Sequence, residues 1–105
     1  FDICDIWRVQ RSKIIENQAV SSDIPTLVLA GRYDPVTNTK WGELAASTLS
    51  NSFFFSFPNA AHGVFLSGDC PVNIVEEFLN NPNAEPNSSC IGEIEMEFYV
   101  PTTGE

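Results

Sequence analysis

Two short apolar runs in the middle of the chain are separated by a longer segment of mixed polarity. The run TLVLA, residues 26–30, is continuous and rich in branched side chains, and Gly31 ends it. The run FFFSF, residues 53–57, is equally apolar and is followed by Pro and Asn. Continuous apolar runs are typical of strands buried on both faces of a parallel sheet. We predict strands over about 26–31 and 52–57.

Apolar residues recur at helical spacing after each of these runs. The first periodic segment predicts a helix over about 39–50, and the second, which Pro71 opens and Pro82 follows, predicts a helix over about 71–80. Strand, helix and strand in this order form a βαβ unit, so the fold class is α/β. The predicted inward stripes are Trp41, Leu44, Ala45, Thr48 and Leu49 in the first helix, and Ile74, Val75, Phe78 and Leu79 in the second.

The two ends of the chain have different patterns. Residues 3–19 mix apolar and charged positions, which is compatible with a short helix or an irregular lead-in. Residues 93–100 alternate glutamate with apolar side chains at first, which predicts an extra strand with one solvated face. The chain opens with Phe1 rather than Met, inside a segment that looks structured. We interpret residues 1–105 as a single partial domain cut from a longer protein.

Composition and charge narrow the classes of function. The 105 residues suffice for one small domain, and 43% of them are hydrophobic. The net charge is −9; all five basic residues lie in the first 40 positions, and nine acidic residues follow them. A phosphate backbone would be repelled by that acidic part, so we expect no nucleic-acid partner. The chain has no run of about 18 apolar residues, so we expect no membrane span.

The cysteines and a glycosylation pattern favour an oxidising compartment. Cys70 and Cys90 flank a segment rich in Asn and Pro with little core of its own, and a disulfide between them would stabilise it by about 3 kcal/mol. Cys4 would then be a free thiol or bond to a partner outside the chain. Asn87 opens the sequence NSS, a candidate N-glycosylation site. We therefore expect a secreted or extracytoplasmic protein.

The sequence gives no support for a metal or cofactor. It has no C-x-x-C pair, and its single histidine does not complete a zinc site. Glu93, Glu95 and Glu97 on a straight strand would form a solvated face, since alternate glutamates do not wrap a calcium ion. Phosphate-loop, dinucleotide and H-E-x-x-H patterns are absent from the sequence.

Asp34 and His62 are the candidate catalytic residues. Asp34 follows the first predicted strand and His62, the only histidine, follows the second. Side chains at the carboxyl ends of neighbouring parallel strands meet at one edge of the sheet. An aspartate that orients a histidine forms two thirds of a nucleophile-activating triad, and the order Asp then His is that of α/β-hydrolases. The G-x-S-x-G pattern that would supply the serine does not occur in the chain.

Each of these residues also has a purely structural interpretation. Asp34 precedes a proline, and Asp-Pro favours the start of a turn. His62 could be a loop or core histidine whose nitrogens bond to the backbone. Trp41 is interpreted as core rather than as a substrate platform, and residues 53–57 as core rather than as a lipid-binding patch.

Several motifs together resemble a known family. SDIPTLVLAGRYDPVTNTKWGELAASTL, FPNAAHGVF, CPVNIVEEFL and NPNAEPNSSC are similar to the C-terminal part of the tripeptidyl-aminopeptidase-like α/β-hydrolases, which are related to the proline iminopeptidases. The resemblance covers residues 20–90. It implies that Asp34 is the triad acid, that His62 is the triad base and that Cys70 pairs with Cys90. Asn38 and Thr39 stand near a position where the family usually has proline.

The resemblance also implies an architecture and an activity. The chain would be the C-terminal βαβα portion of an α/β-hydrolase. Its partner would be an upstream segment that carries the nucleophile, the oxyanion hole and the cap, and its substrates would be short peptides. The alternative hypothesis is a non-catalytic, disulfide-bonded α/β remnant or binding domain, which the missing nucleophile supports.

Overall fold

The structure is a computed structural model that describes residues 2–8, 10–96 and 98. Five main elements follow one another along the chain, namely helix α1 (Asp2–Trp7), strand β1 (Thr26–Gly31), helix α2 (Thr39–Ala46), strand β2 (Ser52–Phe57) and helix α3 (Asp69–Asn80). Short 3-10 helices cover Ile14–Asn17, Val64–Leu66 and Ser89–Glu93. The described chain is therefore an α/β protein with βαβα order from β1 to α3.

The two strands form a parallel sheet whose register determines where the site lies. Thr26 is opposite Ser52 at one end, and Gly31 is opposite Phe57 at the other. Both strands therefore stop at the same level. The loop after β1 and the loop after β2 leave the sheet side by side at its carboxyl edge.

Helices α2 and α3 cover opposite faces of this sheet. A Cβ atom placed on Gly42 of α2 would contact Phe54, Ala30 and Val28. Phe55 and Phe57 instead belong to the cluster that contains Ile74 of α3. Because successive residues of a strand point to opposite faces, the sheet lies between the two helices.

The hydrophobic core lies on the α3 side of the sheet. Phe57 and Ile74 are completely buried, and Phe55, Ala60 and Val64 are nearly so. Phe53 packs edge-to-face on Phe78, with ring centroids 6.4 Å apart. Three of the four phenylalanines of the β2 run thus belong to this core, as the sequence predicts, and Phe54 packs on the α2 side instead. Cys70 and Cys90 are bonded to each other, with Cα atoms 5.8 Å apart, and pack against this cluster.

The predicted inward stripe of α2 is wrong. Trp41 and Leu44 are 63% and 54% exposed, so Trp41 is not a core residue. Gly42 faces the sheet instead, because the lack of a side chain lets the helix axis approach Phe54 closely. With Gly42 against the sheet, Trp41 and Leu44 lie on the outward side of α2.

Helix α2 also ends at Ala46 rather than near residue 50. The hydroxyl groups of Ser47 and Thr48 donate to the carbonyl oxygens of Leu44 and Ala45. The Thr48 hydroxyl is also 2.6 Å from the carbonyl oxygen of Val20. Serine and threonine hydroxyls that bond locally to the backbone compete with helix continuation. The residues after Ala46 therefore form a turn attached to the segment before β1.

The predicted strand over residues 93–100 is not present in the described residues of that range. Glu93 ends a 3-10 helix, and residues 94–96 and 98 have no strand conformation. Ile94 packs against the core cluster, and the glutamates on either side of it are exposed, although these residues pair with no strand. Residues 97, 99 and 100 lie outside the described part of the chain. In α3, the predicted inward Leu79 is 71% exposed.

Candidate active site

The loops after β1 and β2 are fastened together by their backbones. The N–H groups of Arg32 and Tyr33 donate to the carbonyl oxygens of Phe57 and Ala60, each over 3.0 Å. A Cβ atom on Gly31 would collide with the carbonyl oxygens of Ala60 and Ala61. Glycine at the end of β1 therefore allows the close approach that brings the two loops together.

Asp34 lies at the centre of the first loop. Its Oδ1 atom accepts hydrogen bonds from the backbone N–H groups of Val36 at 2.8 Å and Thr37 at 2.9 Å. Its Oδ2 atom accepts a third bond from the Thr37 hydroxyl at 2.5 Å. The side chain is only 5% exposed. Asp34 thus shapes the turn through Oδ1, as its structural interpretation requires, while Oδ2 remains directed towards the second loop.

His62 approaches that second oxygen. Its Nδ1 atom lies 3.0 Å from Asp34 Oδ2 and 3.3 Å from Thr37 Oγ1. An ionised carboxylate only accepts hydrogen bonds, so the geometry requires the proton on Nδ1. The imidazole is 65% exposed, in contrast to the buried acid. In the neutral ring of this tautomer, the lone pair lies on the other nitrogen, Nε2.

The surroundings of Asp34 favour its charged form. The hydrogen bond from the Thr37 hydroxyl is the largest cause of a lowered pKa, and the backbone N–H groups of Thr37 and Val36 and the His62 ring act in the same direction. Burial of the carboxyl group opposes them but does not prevail. The pKa of Asp34 is therefore well below its ordinary value of 3.8.

This lowered pKa predicts how Asp34 contributes to stability in acid. Because the folded-state pKa lies below the unfolded-state value of about 4, the contribution is fully present above pH 4 and is lost as the pH falls towards the folded-state pKa. We expect the difference in free energy of unfolding between the wild-type chain and Asp34→Asn to shrink as the pH is lowered below about 4. Urea denaturation at pH steps from neutral to strongly acidic checks this.

Comparison with Asp34→Asn controls for the other acidic residues. They titrate in both proteins, so their contributions cancel in the difference in free energy of unfolding. The amide oxygen of Asn can still accept from the Val36 and Thr37 backbone N–H groups, so the turn is retained. A difference that stays constant through the acid range would show that Asp34 is not held in its charged form by the fold.

A small cavity of about 240 Å³ lies beside the pair. Its wall combines the polar groups of the site with apolar surface from β1 and α2. The residues that line it are Leu29, Ala30, Gly31, Asp34, Thr37, Trp41, Gly42, His62 and Val64. The outward rotation of α2 therefore places Trp41 next to the Asp34–His62 pair.

Thr37 is the site residue that sequence reasoning missed. Its place just before α2 would suit a helix cap, yet the N-cap is Asn38, whose side chain accepts from the Lys40 N–H at 3.1 Å. The available signal was the spacing Asp-Pro-x-Thr, which places a hydroxyl three residues after a turn-forming aspartate. Side-chain bonds at that separation are common in such turns.

The remaining predicted sites lie elsewhere on the molecule. Asn87 is exposed, and its Oδ1 accepts from the Ser89 N–H at 3.0 Å. The side chain of Cys4 lies outside the described part of the structure. Among the described residues, no group of three or more His, Cys, Asp or Glu is arranged to hold a metal ion. No helix in the described part reaches the length and hydropathy needed to cross a bilayer.

A parallel βαβ unit that presents an Asp–His pair at the carboxyl edge of its sheet has the arrangement of an α/β-hydrolase-type protein. The chain belongs to the family described as TAP-like protein, whose model matches residues 1–90. The match begins well before residue 20, so the segment that precedes β1 belongs to the family pattern as well. No curated protein and no solved structure matches the chain.

Proposed function

We propose that the chain supplies the acid and the base of a serine hydrolase that acts as an aminopeptidase on short peptides. The observation that carries this proposal is the 3.0 Å contact between Asp34 Oδ2 and His62 Nδ1. In a catalytic triad the acid is buried behind the histidine, whose other side faces the nucleophile. The buried Asp34 and the exposed His62 have this arrangement. Membership of the TAP-like family supports the peptide substrate.

The chemistry assigns a role to each group. Asp34 holds the His62 ring by its Nδ1–H and stabilises the imidazolium that forms during the reaction. Nε2 removes the proton from a serine hydroxyl as that oxygen attacks the peptide carbonyl. The same proton then passes from Nε2 to the leaving amine, which completes acylation. Water then gives a proton to Nε2 and attacks the acyl-enzyme, and the proton passes to the serine oxygen as the acid product leaves.

The nucleophile would come from an upstream hydrolase segment that packs against this chain. β1 pairs with β2 along one edge, and its other edge has no strand partner among the described residues. Isolated two-stranded sheets are at best marginally stable in water. Trp41 and Leu44 form an outward apolar surface on α2, and Trp41 also lines the cavity. A hydrolase segment that adds strands at the free edge of β1 and packs against this surface would be the one to bring a serine to Nε2.

A serine-reactive probe tests the proposal. The native protein would be labelled with a fluorophosphonate and digested, and the labelled peptide would be sequenced. We expect the label on a G-x-S-x-G serine in the same polypeptide as residues 1–105, or in a tightly bound one. A protein that contains this chain, folds and yet carries no reactive serine would overturn the proposal.

The second candidate function is a non-catalytic, disulfide-bonded α/β domain. The absence of a G-x-S-x-G pattern from the chain favours it. Such a domain should be monomeric, or form one defined complex, and should unfold cooperatively. Sedimentation and thermal melting of the isolated chain distinguish it from a hydrolase segment, which would expose the β1 edge and associate non-specifically.

A secreted or extracytoplasmic location is part of the proposal. The Cys70–Cys90 bond is compatible with an oxidising compartment. Asn87 is exposed, which an acceptor asparagine requires. We expect enzymatic deglycosylation to lower the mass of the native protein, and Asn87→Gln to remove that change. Native protein with an unmodified Asn87 would contradict the assignment of this glycosylation site.

A further inference from the structure

Thr37 contacts both members of the Asp34–His62 pair. Its hydroxyl oxygen lies 2.5 Å from Asp34 Oδ2 and 3.3 Å from His62 Nδ1. The Nδ1 atom is itself 3.0 Å from the same Oδ2. The three atoms therefore form a closed triangle. We propose that Thr37 is a positioning residue whose hydroxyl fixes the tautomer of His62 that carries its proton on Nδ1.

The direction of each hydrogen bond follows from counting protons. The Thr37 hydroxyl has one proton, and the carboxylate of Asp34 has none to give. That proton must therefore lie on the short bond to Oδ2. The lone pairs of the hydroxyl oxygen then remain for His62.

Nδ1 consequently faces two acceptors, which are Asp34 Oδ2 and Thr37 Oγ1. A protonated Nδ1 donates into both, as a bifurcated bond. A bare Nδ1 would place its own lone pair against the lone pairs of both oxygens, which is repulsive. The Thr37 hydroxyl therefore strengthens the preference for the Nδ1–H tautomer that the Asp34 carboxylate alone would give.

The hydroxyl also controls the direction of the carboxylate. The backbone N–H groups of Val36 and Thr37 bind Oδ1 only. The Thr37 hydroxyl is the contact that, together with His62, defines the position of Oδ2. This inference rests on the proposed function, because the Nδ1–H tautomer matters only if Nε2 serves as a base.

The test uses the fact that His62 is the only histidine of the chain. In a chain labelled with ¹⁵N-histidine, the two ring nitrogens of His62 give one pair of resonances. At a pH where the ring is neutral, the chemical shifts of this pair report which nitrogen carries the proton. We expect the wild-type resonances to be those of the Nδ1–H form. In Thr37→Val the ratio of the Nδ1–H form to the Nε2–H form should fall by roughly three- to ten-fold, as the loss of one neutral hydrogen bond implies. The chemical shifts of the two nitrogens should therefore move towards each other.

Two matched variants separate this role from general damage to the loop. Thr37→Ser keeps the hydroxyl and should restore the wild-type resonances. Thr39→Val removes a hydroxyl that bonds only to the Asn38 side chain at 3.4 Å, and should leave them unchanged. Wild-type resonances in Thr37→Val, with native backbone amide spectra, would overturn the role of Thr37 and leave the proposed function intact.

Other outcomes also decide the question. If the wild-type chain itself shows the Nε2–H form, the Asp34–His62 geometry and with it the proposed function are wrong. If Thr37→Val does not fold, the rate at which the Thr37 hydroxyl proton exchanges with water in the wild-type chain is measured instead. Slow exchange is expected relative to Thr39, whose hydroxyl makes only a long 3.4 Å contact with the Asn38 side chain. Equal exchange of the two hydroxyls would overturn the inference.

Discussion

Substitution of His62 by alanine is expected to lower kcat/KM for peptide hydrolysis by about 10⁴-fold or more in the protein that carries the nucleophile. In the proposed reaction the imidazole accepts the serine proton and returns it to the leaving amine, and the variant lacks this group. Most of the loss should appear in kcat, since in the proposed reaction His62 acts on the reacting atoms rather than on distant parts of the substrate. Steady-state kinetics with short chromogenic peptides measures both parameters.

The stability of this variant should hardly change. The His62 side chain is 65% exposed and contributes little buried apolar surface. Circular dichroism should therefore match the wild type, and urea denaturation should show no more than the loss of the hydrogen bond to Asp34. Glu85→Ala, an exposed substitution in the loop after α3, serves as the control and should keep full activity. Turnover that stays within a few-fold of wild type in His62→Ala would exclude His62 as the base.

The positions of Asp34 and His62 follow from sequence because they depend on strand ends. The apolar runs define β1 and β2 well, and parallel strands of equal length bring their following loops together. The same logic explains why the two residues are adjacent although 28 positions separate them in the chain. Neither the 3.0 Å distance nor the burial of the acid could be obtained this way, because both depend on the backbone bonds of Arg32 and Tyr33.

The orientation of α2 could not be predicted from its apolar pattern. Trp41 and Leu44 are the most hydrophobic positions of the helix, so a pattern places them inward. The close approach at Gly42 overrides this preference, because a helix can come nearest to a sheet where it has no side chain. As a result Trp41 lines the cavity next to the site rather than the core.

The C-terminal segment shows the limit of a two-residue alternation. Alternating residues form a strand only where the chain places them beside the edge of a sheet, and no described strand pairs with residues 94–96 although β1 has a free edge. Cys90, held by Cys70, directs the following residues onto the core, where Ile91 and Ile94 pack. Thr37 was missed for a related reason, since its hydroxyl could serve a helix cap or the aspartate before it, and only the folded turn decides between them.

Removal of the Cys70–Cys90 disulfide is expected to lower the free energy of unfolding by about 3 kcal/mol. The bond closes a loop with a sequence separation of 20 residues, and opening it restores the entropy of that loop in the unfolded chain. This is a large part of the stability of a small domain. Urea denaturation of Cys70→Ala/Cys90→Ala against the oxidised parent, both carrying Cys4→Ser, measures the change.

A reductant supplies the matched control, because it opens the bond without changing any side-chain volume. Reduction of the parent should reproduce the loss seen in the double variant, and the double variant should not respond to it. The bond also anchors the start of α3, whose Ile74 packs in the same cluster as Phe57 at the end of β2. Loss of the bond should therefore loosen the edge of the sheet from which His62 emerges. Equal stability of the oxidised and reduced chains would mean that the packing around Ile74 alone holds the segment.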